Sequence, residues 1–162
     1  MNLNFLTQKN TLWLLFAATL LITISFGVVM QIWDFILIDE MYNADQISGH
    51  IAAMSEKQKL VHIWTTATLD VLYPLAFGSL FAGVALKAFS KNGFLLALPS
   101  LLCIPVDLIE GFSQVMLLSG HADYMGLKIS MTPIKLALFI SGFLIAIFGA
   151  FKLYRELKRQ PL

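Results

Sequence analysis

The stretch LVHIWTTATLDVLYPLAFGSLFAGVAL, residues 60–86, decides the fold. It exceeds the roughly 20 apolar residues with which a helix crosses about 30 Å of hydrocarbon. Only His62 and Asp70 interrupt it. A carboxylate at the centre of a bilayer costs about 3 kcal/mol on insertion scales, so it marks a functional site by default. The stretch GFLLALPSLLCIPVDLIEGFSQVMLLS, residues 93–119, repeats the pattern with Asp107 and Glu110. Two further runs flank this pair. Thr11–Trp33 carries no charge, and Ile134–Phe151 carries only Lys135.

Composition agrees with these runs. The 162 residues are 58% hydrophobic and 13% charged, against about 25% charged in a soluble domain. Mean hydropathy is +0.78. The strict alternation of a membrane β-barrel strand is absent. The reading is all-α: an integral membrane four-helix bundle in a single domain, 1–162. The spans are set at about 11–34, 59–88, 93–119 and 133–154, with an outer segment at 39–58 and a basic tail at 155–162. The first run has only Lys9 as a basic flank, is long, and is followed by no small-residue cleavage site. It is expected to be a retained helix rather than a signal peptide.

Local signals set the connections. Ser55 and Gln58 fit a capping box opening the second span. Lys91-Asn92-Gly93 reads as a tight turn. Thr132-Pro133 reads as an N-cap with proline at the first helical position of the fourth span. In the segment 39–58, which carries Asp39, Glu40, Asp45 and Glu56, Asp45 is expected to cap a short helix with Ile47, Ile51 and Met54 on one face. That strip suits an amphipathic helix on the outer membrane surface; a lid over the bundle mouth is the other reading. With both termini cytoplasmic, the inner side holds Lys9, Lys87, Lys91, Lys152, Arg155, Lys158 and Arg159. The outer side holds Lys57, Lys59, Lys128 and Lys135. The positive-inside rule favours that orientation.

Several classes are excluded. The lone Cys103 forms no internal disulfide or CxxC pair and reads as a small packing residue. The chain has no phosphate loop, zinc spacing or basic–aromatic surface, and its formal charge of +1 gives no reason to expect nucleic acid. No cofactor is expected, and no full metal-ligand set is visible.

Depth and facing bring the acids together. Asp70 lies 17 residues before Lys87, roughly 26 Å at about 1.5 Å per residue. Glu110 lies 17 residues after Gly93, which gives roughly the same depth on an antiparallel helix, with Asp107 about one turn lower. Asp107 and Glu110 share a helix face, which Cys103 and Gln114 extend. Thr66, Asp70, Tyr73 and Phe77 form the opposing stripe. Pro74 and Pro105 release the carbonyls of Asp70 and Leu101 from their helical donors, adding acceptors beside the acids. Lys135 either reaches Glu110 or Gln114 or snorkels to water. Asp34 reads as a solvated helix end. His62, two turns from Asp70, is either a proton relay or a plain interfacial histidine.

The segments LDVLYPLAFG (69–78) and PVDLIEG (105–111), followed by a lysine opening the fourth span, resemble a widespread group of small four-helix bacterial membrane proteins. The resemblance covers spans two to four. It implies a multi-pass protein of the bacterial inner (plasma) membrane and names no activity. The architecture is also loosely similar to the sterol isomerase and sigma-2 receptor superfamily, whose intramembrane acids hold an amine or a carbocation. No residue matches that superfamily one by one, so no roles are carried over.

Three function classes follow. In the first, the chain binds or transports a cationic, protonatable or lipid-like small molecule. Asp70 and Glu110 bind it, Asp107 exchanges protons, and Tyr73 and Trp64 contact the ligand, with Thr66, Gln114 and Lys135 completing the site. In the second, two of the candidates Asp70, Asp107 and Glu110 supply the catalytic acid–base pair of an enzyme acting on a lipid or isoprenoid. In the third, the acids only join helices. Membrane lipids are the expected surroundings. Gly78, Gly83, Gly142 and Gly149 are offered as close-packing faces for a homodimer.

Overall fold

The structure, a computed structural model, describes residues 4–39, 41–89 and 91–159. Its helices are α1 (Lys9–Trp33), α2 (Ala44–Ala53), α3 (Glu56–Ala88), α4 (Gly93–Leu118) and α5 (Met125–Arg159), with short 3-10 turns at Asn4–Thr7 and Ala122–Tyr124. Among the described residues there is no strand. Four of these helical stretches are long and apolar enough to cross a membrane, which is compatible with a multi-pass protein. The last residues of the expected basic tail, 160–162, lie outside the described residues, as does Glu40.

Helix α3 is the centre of the bundle and packs against α4, α5 and α1. Helix α1 fully buries none of its residues: Phe26, Val29, Met30 and Trp33 are half-buried on the face turned to the bundle, and its other face is exposed. It ends where Asp34 adopts a left-handed conformation (φ 48°) and donates its N–H to the Met30 carbonyl. Aspartate tolerates that conformation better than most residues. The capping box forms at Ser55 and Gln58. Gln58 also donates to the carbonyls of Trp33 (3.2 Å) and Asp34 (2.8 Å), tying the end of α1 to the start of α3.

Three local expectations are corrected. Helix α2 is capped by Asn43, not Asp45. The Asn43 carbonyl oxygen accepts from the amides of Asp45 (2.8 Å) and Gln46 (3.3 Å), the reach an N-cap side chain has. The apolar strip of α2 is turned onto the chain itself, as the lid reading expects. Ile47 and Met54 pack with Phe35, Ile38, Leu117 and Leu118, so α2 covers one end of the bundle. Helix α5 starts at Met125, and Thr132-Pro133 lies inside it. Proline removes only the amide that would donate to the Ile129 carbonyl, and the helix continues through it. Lys128 therefore sits in a helix rather than in an outer loop.

The expected homodimer glycines are used within the chain. A Cβ on Gly78 would lie 2.6 Å from Ile104, and one on Gly83 2.6 Å from the Leu6 carbonyl oxygen. Gly142 packs on Ser100, and a Cβ on Gly149 would lie 3.1 Å from Val84. Small residues let helix backbones approach closely, and here they join helices of one chain.

Candidate functional site

Glu110, fully buried on α4, anchors the polar interior. Its Oε1 accepts a hydrogen bond from the Thr132 hydroxyl and lies 3.4 Å from Lys128 Nζ, while Oε2 pairs with Lys135 Nζ. Lys128 and Lys135 are seven residues apart, two turns of α5, so both reach inward from one face. Lys135 also meets Asp39 Oδ1 at 2.6 Å and Asp107 Oδ1 at 3.4 Å. Lys128, fully buried, donates to the carbonyls of Asp39 (3.0 Å) and Met41 (2.6 Å) and to Thr132 Oγ1 (3.0 Å). Buried charges need such partners.

Asp39 enters from the connection between α1 and α2. Phe35 and Ile38 are buried and pull this segment inward. Its Oδ1 also accepts from Gln114 Nε2 at 2.9 Å. Burial pushes the Asp39 carboxyl up, but Lys135, Gln114 and Lys128 outweigh it and hold the group below the ordinary value of 3.8. Asp70 differs from the other three acids. Among the described residues its carboxylate has no hydrogen bond and no ion pair, and it stands against Gly111, whose Cβ would lie 3.3 Å from Asp70 Oδ2. That contact places it level with Glu110, as the depth comparison expects.

Asp39, Asp70, Asp107 and Lys135 line one cavity of about 190 Å³, with Tyr42, Tyr73, Phe77 and Phe139 among its walls. Asp70 also borders a hollow of about 250 Å³ between α3 and α4, lined by Thr66, Leu108 and Gly111. A third hollow, of about 260 Å³, lies between α1 and α3, against Phe26, Met30 and Leu37. One oxygen each from Asp39, Asp70 and Asp107 lies within 4.8 Å of the others. That spacing suits a shared cationic guest. Three carboxylates are half of the roughly six oxygen ligands that Mg²⁺ or Ca²⁺ takes, and Lys135 already stands among them as an ammonium shared by Asp39 and Asp107, which leaves Asp70 as the open acid. With all groups ionised, the four acids Asp39, Asp70, Asp107 and Glu110 face two ammoniums, Lys128 and Lys135. The cluster is two positive charges short of balance.

The expected site residues separate into groups. Asp70, Asp107, Tyr73 and Lys135 share the cavity. Thr66 lines the α3–α4 hollow. Gln114 steadies Asp39. Glu110 is enclosed by Thr132 and the two lysines, so it sets the position of Lys135 rather than facing the cavity. Trp64 stands apart: it is 64% exposed and six residues before Asp70, about 240° round the helix. Cys103 is buried, with Sγ 3.7 Å from the Lys135 carbonyl. Asp39 and Lys128 were not among the expected site residues. The apolar run Phe35–Ile38 before Asp39, and the seven-residue spacing of Lys128 from Lys135, are the signals that point to them.

Comparison with known proteins returns no match: no family model, curated protein or solved structure is significantly similar to the chain.

Proposed function

We propose that the chain is a multi-pass protein of a bacterial inner membrane that binds or carries a small cationic or protonatable molecule at Asp70. Four apolar helices support the membrane assignment. An even number of crossings puts both termini on one side. With Lys128 enclosed in the bundle, the outer loops keep Lys57 and Lys59, against seven Lys and Arg residues on the other side. That asymmetry favours cytoplasmic termini.

One observation carries the reading: Asp70 borders the cavity beside Asp39 and Asp107 with no hydrogen-bond or ion-pair partner among the described residues, and the four acids of the cluster, when ionised, outnumber its two ammoniums by two. A guest ammonium supplies one charge, a proton or a second cation the other, and Tyr73 offers its ring face. A purely structural role would pair every acid, and among the described residues Asp70 has no hydrogen bond or ion pair.

Calorimetry on the detergent-purified chain tests this, with tetramethylammonium and primary alkylammonium ions as probes. Binding is expected in the wild type and lost in Asp70→Asn, whose thermal unfolding temperature equals or exceeds that of the wild type because a buried charge is removed. Unchanged binding by Asp70→Asn, or its failure to fold, overturns the reading.

A further inference from the structure

Beyond the carboxylate cluster, α3 carries a line of buried polar groups that the ion network does not use. His62 is 0% exposed, and neither ring nitrogen has a hydrogen-bond partner among the described residues. Thr66 is 2% exposed, and its hydroxyl is likewise unpaired. Its neighbours behave otherwise. Thr65 donates to the Val61 carbonyl at 2.8 Å, and Thr68 to the Trp64 carbonyl at 2.6 Å, the usual return bond of a helical threonine. Thr66 makes no such bond. Asp70, the next residue in the series, is the acid without a partner.

His62, Thr66 and Asp70 are spaced at i, i+4 and i+8, on one helix face. Each step rises about 6 Å along the axis, which one water spans with two hydrogen bonds of about 2.8 Å. Buried polar groups are almost always paired, and buried water is the partner that meets groups the chain leaves open. At the far end of the line lies α2. Half-buried His50 donates from Nε2 to the Ile36 carbonyl (2.9 Å) and acts electrostatically on His62, as does Asp39 from the connection. Glu110 of α4 and Lys128 of α5 are engaged with each other at 3.4 Å. The Phe35 ring lies 5.1 Å from the His62 ring and covers it with an apolar surface.

We propose that His62 and Thr66, bridged by water, are the route by which protons pass between Asp70 and the α2 end of the bundle. The proposal rests on the cation-binding reading. A cation entering a cluster enclosed in apolar surroundings displaces protons held by its carboxyl groups, and those protons need a polar path out. The exchange balances: one cation enters, one proton leaves a carboxyl group, and that proton passes by hydrogen-bonded relay through Thr66 and His62 to the end where His50 meets solvent. No bond other than O–H and N–H is made or broken. His62 acts on transfer and not on affinity, which separates this role from a merely structural one.

The test uses the full chain in weakly buffered detergent solution with a pH-indicating dye. It is mixed in a stopped-flow instrument with tetramethylammonium chloride, which carries no exchangeable proton. Wild type is expected to release protons as it binds. His62→Phe should release the same number with affinity within about twofold, but about tenfold or more slowly, a typical scale for a lost proton-transfer group. Thr66→Val, close to isosteric, should slow release less, and added imidazole should restore the rate in His62→Ala. Release at the wild-type rate by both His62→Phe and Thr66→Val overturns the proposal, and if His62→Phe does not fold, Thr66→Val decides alone. Binding by the wild type without proton release also overturns it while leaving the cation site standing. Absence of any calorimetric binding removes the cation site first, and this route with it.

Discussion

The end of the bundle nearest α2 and the opposite end are built on different side chains. Around Asp70 and Glu110, long polar groups cross between helices and leave hollows of about 190 to 260 Å³. At the other end Ala82, Ala85 and Ala97 are fully buried, and Gly78, Gly83, Gly142 and Gly149 bring helices into contact. Small residues close the helices at one end, and an ion network props them apart at the other. The difference teaches why the hollow lies where it does. Lysine and carboxylate side chains cannot interdigitate as closely as alanines, and the like charges of Asp39, Asp70 and Asp107 oppose collapse of the cavity they border.

The largest way to break this contrast is Lys128→Met. The substitution strands Glu110 without one of its two ammoniums and frees the carbonyls of Asp39 and Met41. Removing one partner of a buried ion pair costs about 3–5 kcal/mol. The double variant Lys128→Met with Glu110→Gln should recover a large part of that loss, because position 110 no longer carries a charge that has lost one of its partners. Unfolding by graded SDS in mixed micelles measures both. A double variant no more stable than the single one would show that Lys128 acts through its backbone contacts alone.

The second comparison loads the close-packed end. Gly142→Val places side-chain atoms against Ser100 on α4. Overpacking of this kind costs about 1–3 kcal/mol, read by the same unfolding assay. Tetramethylammonium affinity of the folded fraction should stay within about twofold, because Gly142 lines none of the hollows around Asp70. A large loss of affinity with unchanged stability would show that the two ends are coupled.

Much of this division was legible in the amino-acid order. The four apolar runs gave α1, α3, α4 and α5 to within a few residues, except at the start of α5. Equal depth and shared faces linked Asp70 with Asp107 and Glu110. Asp39 and Lys128 were missed for definite reasons. Each lies outside the longest apolar run of its region, and window arguments assign such residues to loops. The Pro133 signal then reinforced the error, because proline favours the first position of a helix, whereas here it lies eight residues after Met125, inside α5, where the Ile129 carbonyl loses its donor. Trp64 is expected at the site as an aromatic partner for a cation, but the helical angle puts it on the outer surface. Partner choice among four acids and two lysines depends on three-dimensional distances that residue spacing does not encode.

The finest distinction is within the ion network itself, between Asp39 and the acids on the helices. Asp39 sits on an irregular segment and is partly exposed, and its carboxyl is held below the ordinary value of 3.8 chiefly by Lys135 opposing the effect of burial. A group with a lowered folded-state pKa contributes stability above its unfolded value, and that contribution is lost as pH falls through the folded value. The contribution of Asp39 is therefore complete above about pH 4 and declines only below it. In thermal unfolding scans between pH 6 and pH 3, the difference between wild type and Asp39→Asn should be constant down to about pH 4 and shrink at lower pH. A gap that widens as pH falls would mean that Asp39 destabilises the fold when ionised, and that Lys135 holds its position through Glu110 and Asp107 alone.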